Sequence, residues 1–239
     1  MSATVSPASK AKAWSAHAIT ASGVILALLA LLALLDGRPQ ACLLWLGLAL
    51  LVDGLDGSLA RRFEVKRVLP NFDGATLDLV IDYLTYVFIP AIFVYRFVPL
   101  PAYSLLPAIG LILLSSLFCF CNLNMKSQDN YFVGFPAAWN VVVVYLYLLD
   151  FPPWLSLATI VLLCGLTLTR MKFLHPFRVR AFMPVNIAVT LIWMLACALL
   201  ILRYPLNPPG WLAIWLLASA YFVAVCLWRT ARDWLTHDE

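Results

Sequence analysis

Charged side chains are scarce in this chain, and their scarcity excludes a water-soluble globular protein. Only 12% of the 239 residues are Asp, Glu, Lys or Arg, whereas 64% are hydrophobic. The mean hydropathy is +0.92. A soluble domain of this length needs far more polar surface than these residues supply. The composition therefore predicts an integral membrane protein.

Histidine and cysteine are too few and too scattered to predict a zinc site or a disulfide framework. The chain has three histidines and six cysteines, and the cysteines all fall within apolar stretches without C-x-x-C spacing. We interpret them as small core residues. The sequence also lacks low-complexity segments and internal repeats. We expect one membrane domain over residues 1–239 and no nucleic-acid partner.

Eight apolar stretches are long enough to predict membrane-spanning helices. The first is too long for the core of a signal peptide and is expected to be a retained span. The predicted fold is thus all-α, with about eight transmembrane helices. The stretches lie near residues 14–35, 41–60, 74–95, 102–121, 134–150, 153–169, 182–202 and 209–228.

The basic residues predict the orientation of these helices. Eight spans put both termini on one side of the membrane, and thirteen of the sixteen Lys and Arg residues fall on that side. Positive charge is enriched in cytoplasmic loops. We therefore expect both termini and the loops 61–73 and 170–181 to be cytoplasmic.

Four aspartates stand out against this apolar background. Asp53 and Asp56 are three residues apart in the second stretch, and Asp78 and Asp82 are four apart in the third, so each pair lies on one helix face. Each charge in a span costs about 2.5–3.5 kcal/mol on insertion scales. A set of carboxylates alone favours a hard divalent cation such as Mg²⁺ or Mn²⁺.

The depths of the four aspartates predict how they meet. If the second and third helices pack antiparallel, Asp56 faces Asp78 near the cytoplasmic end, and Asp53 faces Asp82 roughly 10–12 Å deep. The result is a rectangle of carboxylates that opens to the cytoplasm. It has room for two divalent ions a few Å apart.

The pattern around these acids resembles a family signature. It reads Asp53-x-x-Asp56-Gly57-x-x-Ala60-Arg61, followed by Gly74-x-x-x-Asp78-x-x-x-Asp82, and it is similar to that of the CDP-alcohol phosphatidyltransferases. Twelve residues separate Arg61 from Gly74, where the common form has eight or nine. The longer gap and the run from Leu77 to Val87 resemble the branch of bacterial phosphatidylcholine synthases.

The resemblance implies a fold and a reaction. The fold is a six-helix core of the family followed by two C-terminal helices, in the bacterial inner membrane with the active site facing the cytoplasm. The reaction transfers the phosphatidyl group of CDP-diacylglycerol to choline and releases CMP. The resemblance also implies that Mn²⁺ would serve and that a homodimer forms.

The resemblance extends to individual residues. Asp82, the last acid of the motif, is implied to be the general base, while all four aspartates are expected to hold metal. Arg61 is suited to bind a phosphate, because guanidinium binds it in a bidentate manner, and equally to pair with the Asp cluster and hold it in place. The residues expected to contact CDP-diacylglycerol are Gly57, Ala60, Arg61, Gly74, Thr20 and His17.

Choline recognition is predicted from aromatic side chains. A quaternary ammonium donates no hydrogen bond and is bound by aromatic faces. Tyr86 lies four residues after Asp82 and continues its helix face, and Tyr83 adjoins the expected base. Asn140 is a further candidate because polar residues in spans usually face the interior of the helix bundle.

Three alternative functions have to be weighed. Serine or another alcohol can replace choline as acceptor in the same transfer. Intramembrane acids also occur in cation and proton transporters, although here they cluster near one mouth without an inverted repeat. A non-catalytic scaffold has no need of four buried acids.

Overall fold

The structure is a computed structural model, and it describes residues 6–237. Most of these residues are helical. They form two compact units, one that extends to Pro90 and one that begins at Ala91. The two units are described separately.

Unit 1 is built from long apolar helices joined by short turns. The first helix, α1, packs along the second, α2, and also contacts α3, α4 and the π-helical segment. The elements in chain order are α1 (Pro7–Leu35), α2 (Pro39–Arg62), α3 (Val65–Val68), α4 (Gly74–Asp82), a π-helical segment (Tyr83–Phe88) and α5 (Ile89–Phe97), which continues into unit 2.

Local sequence explains where two of these helices begin. Ser6 caps α1, where its Oγ accepts a hydrogen bond from the Ser9 amide at 3.1 Å, and Pro7 fits the first turn. Asp73 caps α4, and its Oδ1 accepts from the amides of Ala75 and Thr76 at 3.0 and 3.2 Å. Hydrogen bonds from Thr76 lower the pKa of Asp73, so the cap stays ionised at neutral pH.

The short helix α3 is held against α1 by apolar packing. Val65 and Val68 are buried with Ala13 and Ala16 of α1. Lys66 and Arg67 of α3 are exposed, so α3 presents its valines to the unit and its basic residues to solvent. This packing ties the predicted cytoplasmic loop to α1.

Unit 2 contains the remaining helices and a small antiparallel ladder. Phe132 pairs with Phe173 and Val133 with Lys172. The ladder joins two loops of the unit. The elements are α6 (Leu105–Cys121), β1 (Phe132–Val133), α7 (Trp139–Leu148), α8 (Pro153–Thr167), β2 (Lys172–Phe173), α9 (Met183–Arg203) and α10 (Pro209–His237).

A glycine allows the loop after β1 to lie against the end of α8. Gly134 has a φ of +84°, and a Cβ at this position would lie 2.5 Å from the carbonyl oxygen of Thr167. Its amide donates to the carbonyl of Met171 at 2.7 Å. Only glycine combines this conformation with so close an approach.

Ion pairs connect the same loops to α10. The Arg229 Nε donates to Asp129 Oδ2 at 2.7 Å, and Arg229 also pairs with Asp233. Lys172 Nζ lies 3.2 Å from Asp233. Partial burial of Asp129 raises its pKa, but hydrogen bonds from Arg229 and Ser127 outweigh this effect and lower it. In this network each basic residue lies against at least one aspartate.

The helices follow the predicted apolar stretches with several corrections. Within residues 6–237, five helices are long and apolar enough to cross a membrane, while Leu105–Cys121, Trp139–Leu148 and Pro153–Thr167 are shorter. That all eight cross, with both termini cytoplasmic, stays a prediction.

Three details were not predicted. The helix expected from residue 134 begins at Trp139, because Gly134 belongs to the loop. The last helix continues to His237 instead of ending near residue 228. The expected all-α fold also contains the two-residue strands and a π-helical segment.

Candidate active site

Three carboxylates meet in unit 1. Asp53 lies on α2, and Asp78 and Asp82 lie one turn apart on α4. One oxygen of each lies within 4.8 Å of the others, and all three residues are half-buried. Antiparallel helices thus bring together acids that are 25–29 residues apart in sequence.

Asp56 lies beside this cluster but is not part of it. Its side chain is buried, with 4% exposure, and Thr20 of α1 is within hydrogen-bonding reach of its carboxylate. The predicted rectangle is therefore a triangle with a fourth acid at its edge. The reason is that α1, which the two-helix prediction left out, packs against both α2 and α4.

All four acids line one small cavity. Residues of three helices and of the start of the π-helical segment line it, and several of them are small or apolar. The lining residues are Thr20, Gly23, Ala49, Val52, Asp53, Asp56, Asp78, Ile81, Asp82 and Thr85.

The donor set fits a divalent metal ion. Mg²⁺ and Mn²⁺ prefer carboxylate oxygens, and Mg²⁺ holds them about 2.0–2.1 Å from the ion. Ligands of one such ion lie at most about twice this distance apart, and the spacing of up to 4.8 Å in the cluster is close to that limit. Asp53, Asp78 and Asp82 can thus hold a metal ion after a small adjustment.

A tyrosine from the π-helical segment contacts the cluster. The Tyr86 hydroxyl donates a hydrogen bond to Asp53 Oδ2 at 2.7 Å. Sequence analysis placed Tyr86 on the face of Asp82 as a choline contact and missed this bond to α2. The two residues are 33 positions apart, and no local pattern connects them.

A buried histidine packs against the start of α4, at the edge of the site. His17 of α1 is 6% exposed, and its ring lies 4.4 Å from that of Phe72. A Cβ on Gly74 would lie 2.4 Å from His17 Cε1. The family motif glycine thus leaves room for the histidine ring, and the His17 Nε2 has no hydrogen-bond partner among residues 6–237.

The other motif residues have different surroundings. The Gly57 amide hydrogen-bonds Asp56. Ala60 packs against the apolar cluster of α1 and α3. Arg61 is exposed, and its Nη2 donates to Ser58 at 3.1 Å. Of the predicted CDP-diacylglycerol contacts, Thr20 lines the cavity itself, and His17 and Gly74 pack against each other.

The remaining choline candidates belong to different units. Tyr83 is half-buried at the start of the π-helical segment in unit 1. Asn140 belongs to unit 2, where it is buried and its Oδ1 accepts from the amide of Val141 at 2.9 Å. Its Nδ2 has no hydrogen-bond partner within the described residues.

A model of a known protein family matches most of the chain. The model of the family described as CDP-alcohol phosphatidyltransferase matches residues 13–169. This range begins within α1, extends past the end of α8, and includes all four acids of the cavity.

Curated relatives are similar over nearly the whole chain. Phosphatidylcholine synthase of Pseudomonas aeruginosa is 70% identical over 96% of this chain and 97% of its own length. The enzyme of the same name from Brucella melitensis is 40% identical over 90% of this chain and 78% of its own. That from Borreliella burgdorferi is 35% identical over 75% of this chain and 77% of its own.

Proposed function

Because the chain belongs to the CDP-alcohol phosphatidyltransferase family, we propose that it is an integral membrane enzyme that transfers the phosphatidyl group of CDP-diacylglycerol to choline. The products are phosphatidylcholine and CMP. The observation that carries this proposal is the 70% identity, over 96% of the chain, to the phosphatidylcholine synthase of Pseudomonas aeruginosa. The carboxylate cavity supplies the matching chemistry.

The proposed reaction is a displacement at the phosphorus that bears the diacylglycerol. The choline hydroxyl oxygen forms a bond to this phosphorus, and the bond from phosphorus to the CMP oxygen breaks. CMP leaves with the electron pair. The nucleophile and the leaving oxygen must be roughly in line, so the enzyme acts mainly by positioning and by electrostatic stabilisation.

The four aspartates have different roles in this reaction. Asp82 accepts the proton of the choline hydroxyl as that oxygen attacks, in the role of general base. Asp53, Asp56 and Asp78 would hold divalent metal together with Asp82, as two ions of either Mn²⁺ or Mg²⁺. When bound, the metal neutralises charge that develops on the diphosphate. Thr20 keeps the Asp56 carboxylate oriented from α1.

The substrate contacts follow the motif. We assign Gly57, Ala60, Arg61 and Gly74, with Thr20 and His17 of α1, to the CDP-diacylglycerol side. We assign the quaternary ammonium of choline to the ring faces of aromatic side chains.

The candidates for that choline contact are Tyr83 and Tyr86, and Asn140 is a further polar candidate. The thirteen basic residues on the side of the termini support a cytoplasmic active site in the bacterial inner membrane. A homodimer rests on the family resemblance alone.

The experiment that tests the function is an acceptor panel. Purified protein in detergent receives CDP-diacylglycerol, Mn²⁺ and one alcohol at a time, and released CMP is measured. We expect release with choline that exceeds release with serine, inositol phosphate or glycerol phosphate by at least about 100-fold, because a site for a quaternary ammonium disfavours acceptors that carry a carboxylate or a phosphate.

Two results would contradict the proposal. Preference for serine would assign the chain to a different acceptor within the same family. Absence of CMP release with every alcohol, together with cation uptake by sealed vesicles that lack CDP-diacylglycerol, would identify a transporter. The variant Asp78→Asn, purified in the same way, is the matched negative control.

A further inference from the structure

We infer that the Tyr86 hydroxyl positions the Asp53 carboxylate for metal binding. The inference rests on the proposed function, which requires a divalent cation at the acid cluster. Its basis is the 2.7 Å hydrogen bond from Tyr86 to Asp53 Oδ2, together with the location of Asp53 in the three-carboxylate cluster. Tyr86 is therefore a positioning residue that acts through Asp53.

The π-helical segment explains why Tyr86 reaches α2. In an unbroken α-helix four residues make slightly more than one turn, so Tyr86 would lie above Asp82. Hydrogen bonds in a π-helix run from residue i to i+5, and its turn is wider. Four residues then fall short of a full turn, so the Tyr86 ring leaves the helix in a different direction from the one that an unbroken α-helix would give it.

The widened turn is well defined in its own right. Thr85 donates to the carbonyl of Ile81 at 3.0 Å, which fixes the backbone at the start of the segment. Val87 and Thr85 are buried, so the segment is anchored by packing on both sides of Tyr86. Single π-turns within α-helices frequently occur at functional sites.

The chemistry of the bond suits a metal ligand. A carboxylate has two oxygens with about four lone-pair positions, and a donor at Oδ2 leaves the other oxygen available to the ion. A hydrogen bond from a hydroxyl to a carboxylate is among the stronger kinds in proteins. It fixes the rotamer of Asp53 before the ion arrives, which lowers the entropy lost on binding.

This role can be separated from the choline contact assigned to the same ring. A quaternary ammonium is bound by the ring face, whereas Asp53 is bound by the hydroxyl. Tyr86→Phe removes only the hydroxyl, and Tyr86→Ala removes both. A pure choline role predicts that Tyr86→Phe behaves like wild type.

The test is a direct titration of Mn²⁺ into purified protein without substrates, followed by electron paramagnetic resonance of free Mn²⁺. We expect Tyr86→Phe to raise the Kd for Mn²⁺ by about 10–100-fold, as is typical when a partner of a metal ligand is removed. The Mn²⁺ concentration for half-maximal CMP release should rise in parallel. At saturating Mn²⁺ the KM for choline should stay within about twofold.

The controls separate positioning from general damage. Tyr95→Phe, at an exposed position on α5, should bind Mn²⁺ like wild type. Replacement of Tyr86 by p-aminophenylalanine, which keeps an aromatic ring and an N–H donor, should restore most of the affinity. Should Tyr86→Phe be unfolded in detergent, p-methoxyphenylalanine, which cannot donate a proton, takes its place.

A double-mutant cycle decides whether Asp53 is the partner through which Tyr86 acts. In the Asp53→Asn background, Tyr86→Phe should cause little further loss of Mn²⁺ affinity. Wild-type Mn²⁺ affinity in Tyr86→Phe would overturn the inference, and so would an equal loss in both backgrounds. Because the titration contains no alcohol, these outcomes do not depend on whether choline is the acceptor.

Discussion

Each unit contains a group of aspartates, and the two groups have opposite surroundings. In unit 1, Asp53, Asp78 and Asp82 approach one another within 4.8 Å. In unit 2, Asp129 and Asp233 each lie against a basic side chain, with Arg229 bonded to both and Lys172 at 3.2 Å from Asp233. One set is a cluster of like charges, and the other alternates in sign.

The difference separates a ligand site from a structural network. Like charges in a partly buried site raise the free energy of the folded protein unless a cation is bound. Alternating charges satisfy one another and need no ligand. Substitution of an acid should therefore affect metal binding and turnover in unit 1, and only stability in unit 2.

The largest effect is expected for Asp82→Asn, which removes the proposed general base. The loss of kcat should be about 10²–10⁴-fold, the usual contribution of general base catalysis. Binding of CDP-diacylglycerol should be largely retained, because the base acts on the acceptor. CMP release and CDP-diacylglycerol binding, measured at saturating Mn²⁺, check this; equal loss of both would recast Asp82 as chiefly a metal ligand.

A second large effect is expected for Asp78→Asn, which removes a charged oxygen from the cluster. Mn²⁺ affinity and activity should both fall by more than about 100-fold, beyond the loss typical of an outer partner. The matched control is Asp129→Asn in unit 2, which should leave Mn²⁺ binding and CMP release close to wild type. If the two substitutions had similar effects on Mn²⁺, the distinction between the units would fail.

A smaller effect is expected for Gly74→Ala at the edge of the site. The added Cβ would lie 2.4 Å from His17 Cε1, so the ring or α4 must move. Overpacking of this kind costs about 1–3 kcal/mol, which thermal unfolding in detergent can measure. Adding His17→Ala should recover much of the stability; no recovery would mean that the histidine ring is not the obstacle.

The smallest effect is expected for Arg229→Met, which removes the centre of the ion-pair network. The loss should be about 1–2 kcal/mol, since charged hydrogen bonds contribute about 1.5–3 kcal/mol and the Asp129 side chain is 45% exposed. Mn²⁺ affinity and kcat should not change. Arg96→Met, at an exposed position on α5, is the control.

The effect of Arg229→Met on stability should depend on pH. The pKa of Asp129 is lowered in the folded protein, so its contribution to stability is present above the unfolded pKa of about 3.9 and is lost as pH falls through the folded value. The stability difference between wild type and Arg229→Met should therefore shrink below about pH 4. A difference that stayed constant down to pH 2 would exclude an ionic contribution of Asp129.

Sequence reasoning was most successful where the signal repeats along the chain. Apolar stretches located the helices, since burial in a bilayer imposes the same requirement on every residue of a span. It was less successful at Gly134, where the expected helix has not yet begun and the chain forms a loop, and at Phe132, which lies in a strand that was not predicted. The partners there, Thr167 and Phe173, lie more than 30 residues away.

The four aspartates illustrate both what the sequence could predict and what it could not. Their spacing placed each pair on one helix face and indicated a divalent cation, because four charges in apolar spans need compensation. The spacing could not show that Asp56 turns to Thr20 on α1, since that depends on how a third helix packs. It also could not show the hydrogen bond between Tyr86 and Asp53.

By itself, the sequence determined that this chain enters a membrane as apolar helices, that it carries the family motif, and that its acids lie in two helices. Those properties follow from the composition and from the spacing of residues within a single helix. Only the tertiary structure decided that three carboxylates meet while a fourth stands apart, and that a π-helical turn brings Tyr86 to Asp53. Such contacts depend on the packing of helices against one another and on a local change of helical pitch, and neither is encoded in the spacing of residues along one segment.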